Sequence, residues 1–210
     1  MSQGAGEDKR RAKVEVTVLA HAPLDMRFPL HYAAQQGDIE RVKYLLGVDD
    51  RRRGLKLRPD DEDDLGRTPL HVAAAFGHAD ICKLFVELDK SLVHNRAAGM
   101  QDMYPIHLAC AGGWESDTFL SDSEFYASLL GTEDRAGGVS AVASTTGPEG
   151  AEEGELTEGQ KKRLAVVTLL LESDADATAR SATGTSALHL AAGTGDLECA
   201  RKLLEFGADV

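Results

Sequence analysis

Four histidines recur at matching points of the 210-residue sequence: His31, His71, His107 and His189. Each is followed by a pair of small residues (Ala33-Ala34, Ala73-Ala74, Ala109-Cys110, Ala191-Ala192) and then by a glycine (Gly37, Gly77, Gly113, Gly195). Imidazole moves protons near neutral pH and ligates metals, so the set invites a reading as a metal centre or a general base. Asp174 and Asp176 add a carboxylate pair, and Asp60-Asp61-Glu62-Asp63-Asp64 an acidic run. The acidic run fails as a calcium loop, because Gly66 is out of place and no glutamate stands at the twelfth position. No glycine-rich phosphate loop, nucleophile elbow or Cys/His metal spacing occurs. The expectation is a non-enzyme, with no catalytic residue, no metal site and no cofactor.

The histidines sit inside a recurring segment that accounts for them structurally. Its fullest copy is Gly66-Arg67-Thr68-Pro69-Leu70-His71-Val72-Ala73-Ala74-Ala75-Phe76-Gly77-His78; the others centre on Phe28-Pro29-Leu30-His31, Tyr104-Pro105-Ile106-His107 and Ser186-Ala187-Leu188-His189. Thr68 offers a capping hydroxyl, and Pro69 fits the first helical position, where no N–H is needed. Leu70, Ala73 and Ala74 share one helical face, and Gly77 can take the left-handed conformation that ends a helix. The helix is about two turns long and unstable alone in water. Its partner follows at once: Ile81, Leu84, Phe85 and Leu88 mark a second amphipathic helix, as do Val42, Leu45 and Leu46, and Ala200, Leu203 and Leu204. Each antiparallel pair exposes more apolar surface than it can bury internally, so pairs must stack.

The unit resembles the ankyrin repeat, roughly G-x-T-P-L-H-x-A-A-x-x-G-H followed by an apolar helix and G-A-D-V. The first part is met almost in full at residues 66–78, and the last stands at Gly207-Ala208-Asp209-Val210. The resemblance implies an all-α repeat solenoid of helix-turn-helix units joined by β-hairpin loops. Residues 1–23 form an N-terminal tail, 24–62 repeat 1 with a long hairpin loop, 63–97 repeat 2, 98–181 repeat 3 and 182–210 repeat 4. The histidines lie 40, 36 and 82 residues apart, against a family period of about 33. The last interval therefore holds one period plus an insertion of about 49 residues. In the family this histidine hydrogen-bonds backbone between units, and neighbouring copies stand about 10 Å apart, too far to share a metal whose ligands lie about 2 Å from it. Asp174 and Asp176 match a hairpin of the repeat. Phe28 and Tyr104 replace the capping threonine in repeats 1 and 3, at an expected cost of about 1 kcal/mol each.

Along the chain, residues 1–13 read as a disordered tail and Val14–Val18 as a strand that caps repeat 1 or pairs with another chain. Arg51-Arg52-Arg53 and the acidic run either neutralise each other across one long hairpin or form a charged fingertip. The insertion at 114–160 carries 11 acidic groups against Arg135, and its part from Gly137 to Gly159 reads as disordered. Ser121-x-x-Glu124 opens a short helix through Leu130, and Thr157-x-x-Gln160 opens another. The outer helix of repeat 3 is expected at 158–171, with 123–130 as the alternative.

Net charge is −12, made of +4 over residues 1–58 and −16 over 59–210; this argues against nucleic-acid binding and would steer a basic partner surface to the second part. Cys82, Cys110 and Cys199 read as buried small hydrophobes, and their odd number suggests a reducing compartment. The apolar run from Val14 to Ala22 is too short to span a bilayer and is broken by Glu15. The sequence is thus expected to be an intracellular, cytoplasmic module with a protein partner and neither nucleic-acid nor membrane binding. The resemblance places that partner in the concave groove of hairpin tips and inner helices. Matching positions are Arg67, Met100, Met103 and Thr185 on the tips, and Gln36, Phe76, Gly112 and Thr194 near inner-helix ends, with Phe76 as the anchor. A permanent structural subunit of a larger assembly is the competing expectation.

Overall fold

A computed structural model describes residues 27–48, 54–111 and 156–209. The helices of those residues run α1 Pro29–Gln36, α2 Ile39–Leu46, α3 Pro69–Ala75, α4 Ala79–Leu88, α5 Pro105–Ala111, α6 Glu158–Glu172, α7 Ala187–Gly193 and α8 Leu197–Glu205, with two short 3-10 turns at Lys90–His94 and Ala98–Met100. Helices α1, α3, α5 and α7 stack on one another as an inner layer, and each packs on its own outer helix. Helix α6 packs on α4, α5 and α8, so the segment after the insertion supplies the outer helix of the third unit. The competing segment 123–130, the Val14–Val18 strand, Arg51–Arg53 and residues 112–155 lie outside the described residues.

The core runs the length of the stack. Leu30, Ala33, Ala34, Leu70, Ala73, Ala74, Ile106, Ala109 and Cys110 of the inner helices meet Val42, Phe85, Val166, Leu170 and Leu203 of the outer ones. Small inner residues let the layers approach closely, which is why cysteine can replace alanine at 110. All three cysteines are free and buried. Burial pushes the thiols of Cys82 and Cys199 up and that of Cys110 up to about 12, which keeps them unreactive.

The hairpins are slighter than the resemblance implied. Among the described residues there is no strand, only the isolated antiparallel bridges Ala97↔Met103 and Arg180↔Ser186. The connection at Ala97–Met103 turns so tightly, with Gln101 and Asp102 both at positive φ, that one bridging pair is all it can hold. Gly37 shows why a bare backbone is needed between units. Its φ is 72°, and an added Cβ would lie 2.7 Å from the His78 ring, which bonds to Gln35 across the same junction. Gly37→Ala should therefore lower stability by more than the roughly 1–2 kcal/mol of left-handed strain alone. Urea denaturation checks this, and an unchanged midpoint would contradict it.

Candidate protein-interaction groove

The site is built on the histidines, which are consumed by the scaffold. His71 is fully buried. Its Nε2 lies 3.1 Å from the Met103 carbonyl, so that nitrogen carries the proton and donates. Its Nδ1 is left to accept from the Thr68 backbone N–H at 3.1 Å and from the Thr68 hydroxyl at 2.9 Å. One neutral ring thus caps its own helix and ties it to the next unit. His107 repeats the arrangement, with Nδ1 accepting from the Tyr104 N–H at 3.0 Å and Nε2 donating to the Ala179 carbonyl at 3.1 Å. His31 donates to the Arg67 carbonyl at 2.7 Å. The N–H that a capping hydroxyl would guard, that of His107, donates instead to the Tyr104 carbonyl at 3.0 Å, so Tyr104 can stand where the hydroxyl belongs.

Burial lowers the pKa of all three rings below the ordinary histidine value, that of His71 to about 4, although the carbonyl bond of each pulls the other way. Among the described residues, no three His, Cys, Asp or Glu side chains are placed to hold one metal ion.

Three of the predicted tip residues lie elsewhere than on an accessible tip. Met100 and Met103 are buried, at 0% and 1% exposure, among Ala75, Ala97 and Leu108. The tight turn folds both side chains back under the groove, where they fill the space that Phe76 covers. Arg67 is buried as well. Its Nε donates to Asp63 Oδ2 at 2.7 Å, while Asp63 Oδ1 accepts the Leu65 and Arg67 backbone N–H groups, each at 2.9 Å. The arginine thus braces its own finger.

Gln36 and Thr194 are exposed at the ends of α1 and α7, and Thr185 is half-buried. The Thr194 hydroxyl donates back to Leu190 and Ala191 carbonyls of α7. Phe76, at the end of α3, is half-buried: its ring packs on the methionine cluster and stacks parallel to His78 with centroids 6.5 Å apart. Gly112 lies outside the described residues.

Sequence reasoning missed the aromatic end of the groove. Phe28 and Tyr32, with Gln35 and Val72, line a small, shallow cleft that the Asp63–Arg67 pair also borders. Phe28 meets His31 edge-on at 5.5 Å, while the Arg27 and Arg41 guanidiniums lie over the Phe28 and Tyr32 rings at 5.1 and 5.7 Å. The signal was present: Phe28 takes the capping position, and Tyr32 stands where the other units carry Val72, Leu108 and Leu190.

A family model described as ankyrin repeats in three copies matches residues 10–96, and another described as ankyrin repeats in many copies matches residues 159–204. The chain belongs to the ankyrin-repeat family. The relatives it matches share a portion of this chain. Histone-lysine N-methyltransferase EHMT1 of Mus musculus is 32% identical over 90 residues, which is 41% of this chain and 6% of the relative. 26S proteasome non-ATPase regulatory subunit 10 of Dictyostelium discoideum is 40% identical over 63 residues, 30% of this chain and 25% of the relative. Potassium channel AKT1 of Arabidopsis thaliana is 32% identical over 193 residues, 92% of this chain and 19% of the relative. The chain thus spans at most a quarter of the length of these curated relatives. What aligns is the ankyrin portion, an interaction module rather than a catalytic domain. No helix among the described residues is long and apolar enough to cross a membrane.

Proposed function

We propose that this chain is a non-catalytic scaffold or adaptor that holds a protein partner in the concave ankyrin groove, along the inner-helix ends and the finger tips. The observation that carries this reading is a division of labour along the inner layer. Every residue of α3 and α5 is buried, as are His31, Ala33 and Ala34 of α1, while Tyr32 and Gln36 of α1 and Phe76 just after α3 stay at least partly accessible. An accessible edge on a fixed scaffold is suited to recognition. Phe76 is the anchor: a half-covered aromatic ring held from below by Met100 and Met103 loses little freedom on binding. Gln36, Thr185 and Thr194 supply the polar rim, and Gly112 is assigned to it as the counterpart of Gln36 and Thr194 in sequence. Arg67, Met100 and Met103 act beneath the surface, where they shape it. Three buried free thiols suit a reducing, cytoplasmic setting.

Affinity capture from native lysate, with intact chain, Phe76→Ala and a chain lacking residues 114–156, tests the reading. Phe76→Ala should weaken capture by at least about tenfold, while costing only about 1–2 kcal/mol of stability for a half-buried ring. A partner that survives Phe76→Ala and disappears with residues 114–156 would move the function to the insertion.

A permanent structural subunit is the second reading. It is favoured by the apolar exposure of Leu197, Leu204 and Phe206 on the last helix pair. Sedimentation separates the two: the scaffold sediments as a monomer, the subunit aggregates without its assembly.

A further inference from the structure

The finger before α7 is built from hydroxyls where the finger before α3 uses a carboxylate. Ser181 stands at the position of Asp63, and residues 177–186 contain no Asp or Glu. Thr183 lies at the exposed tip, with its Oγ1 2.8 Å from the Ser181 hydroxyl and 3.1 Å from that of Thr185. The Ser181 hydroxyl also accepts the Thr185 backbone N–H at 3.2 Å. Thr183 itself makes no main-chain hydrogen bond among the described residues. Arg180 is exposed, and its guanidinium meets no carboxylate among the described residues; Nη1 donates to the Gly184 carbonyl at 3.3 Å. In the finger before α3 the Asp63 carboxylate holds Arg67. The finger before α7 instead sets an arginine beside three hydroxyls and holds no anion of its own.

We propose that Thr183 is a phosphorylation site for an arginine-directed serine/threonine kinase, and that Arg180 serves it twice. Before the reaction Arg180 is the recognition element. Thr183 is the one Ser or Thr of the 210 residues with a Lys or Arg three positions before it. In an extended segment that spacing sets the guanidinium about 10 Å from the hydroxyl, where carboxylates of the kinase read it by charge-assisted pairing. To lie extended, the tip gives up the bond from the Gly184 N–H to the Ser181 carbonyl and that from Arg180 to Gly184. Local opening of an exposed tip costs little. The kinase supplies the γ-phosphoryl group of ATP. Thr183 Oγ1 forms the new P–O bond, the bond to the β-phosphate oxygen breaks, ADP leaves, and the hydroxyl proton passes to the kinase's base. The product carries about two negative charges beside the Ser181 and Thr185 hydroxyls. Arg180 then pairs with the phosphate as Arg67 pairs with Asp63. The modification closes this finger and changes the charge of the groove rim at Thr185.

The test incubates the intact chain, Thr183→Val and Arg180→Gln with the catalytic subunit of cyclic-AMP-dependent protein kinase and Mg-ATP. Tandem mass spectrometry should place a single phosphate on Thr183 of the parent and none on the Thr183→Val chain. Arg180→Gln should lower the initial rate by about tenfold or more, the effect of removing one partner of a desolvated charge pair. In the phosphorylated parent, hydrogen exchange at 181–185 should slow relative to the unmodified chain, because the arginine–phosphate pair holds the tip shut. No incorporation into the folded chain, a phosphate carried mainly by another Ser or Thr, or equal rates for the parent and Arg180→Gln overturns the proposal. So does exchange at 181–185 that the phosphate leaves unchanged or quickens, since the finger has then not closed. The assay contains no binding partner, so its failure would leave the groove reading standing.

Discussion

Asp63→Ala should destabilise the chain by about 3–5 kcal/mol, the cost of leaving a buried charge without its partner. The Asp63 and Arg67 side chains are only 6% and 9% exposed. The carboxylate does two jobs there. Oδ2 faces the guanidinium, and Oδ1 gathers the Leu65 and Arg67 N–H groups that close the finger. The carbonyl of the same arginine accepts the His31 bond, so the loss spreads from one finger to the junction between the first two units. A paired replacement, Asp63→Leu with Arg67→Met, should recover part of the loss, because it removes the stranded charge as well as the pair. Chemical denaturation of the three chains measures this. A single variant within about 0.5 kcal/mol of the parent, the usual range for surface changes, would show the pair to be solvated and unimportant.

Acid should weaken the stack before it reaches the carboxylate range. The native junction needs neutral rings, since Nδ1 of His71 accepts a backbone N–H and a proton placed there would oppose the donor. A group whose pKa is depressed by folding takes up its proton more readily when unfolded. Stability is therefore complete above the unfolded value of 6.5 and falls as pH drops towards about 4. For His71 alone this span corresponds to about 3 kcal/mol, and His31 and His107 shift in the same direction. Urea midpoints between pH 7 and pH 4.5 should decline steeply in the parent and less so in His71→Gln, whose amide keeps a donor and an acceptor but does not titrate. Parallel declines in the two chains would exclude the ring as the cause.

Much of this architecture is legible in local sequence, because each cue acts over a few residues. Pro69 and Pro105 mark helix starts, Gly37 and Gly77 mark ends, and the spacing of Ile81, Phe85 and Leu88 marks the second helix. Even the 82-residue interval between His107 and His189 resolves once a period is known. What local cues do not contain is the direction of side chains in a turn. Met100 and Met103 flank a tip, and only the positive φ of Gln101 and Asp102 turns them inward to a cluster assembled from two units. Arg67 reads as a partner-binding position on a hairpin tip, and its burial depends on Asp63 four residues back and on the neighbouring unit. The aromatic end of the groove was overlooked for a related reason. Phe28 registers as a missing cap, whereas its position beside Tyr32 and the Asp63–Arg67 pair is a property of the stack.

The central claim is that the groove, and not the convex side or the insertion, meets the partner. Hydrogen–deuterium exchange of the captured complex, compared with the free chain, tests it most directly. The account predicts new protection at the inner-helix ends around Gln36, Phe76 and Thr194 and in the finger at 181–185, with α2, α4, α6 and α8 unchanged on their outer faces. Protection confined to the outer helices or to residues 112–155, with the groove exchanging as in the free chain, would contradict it.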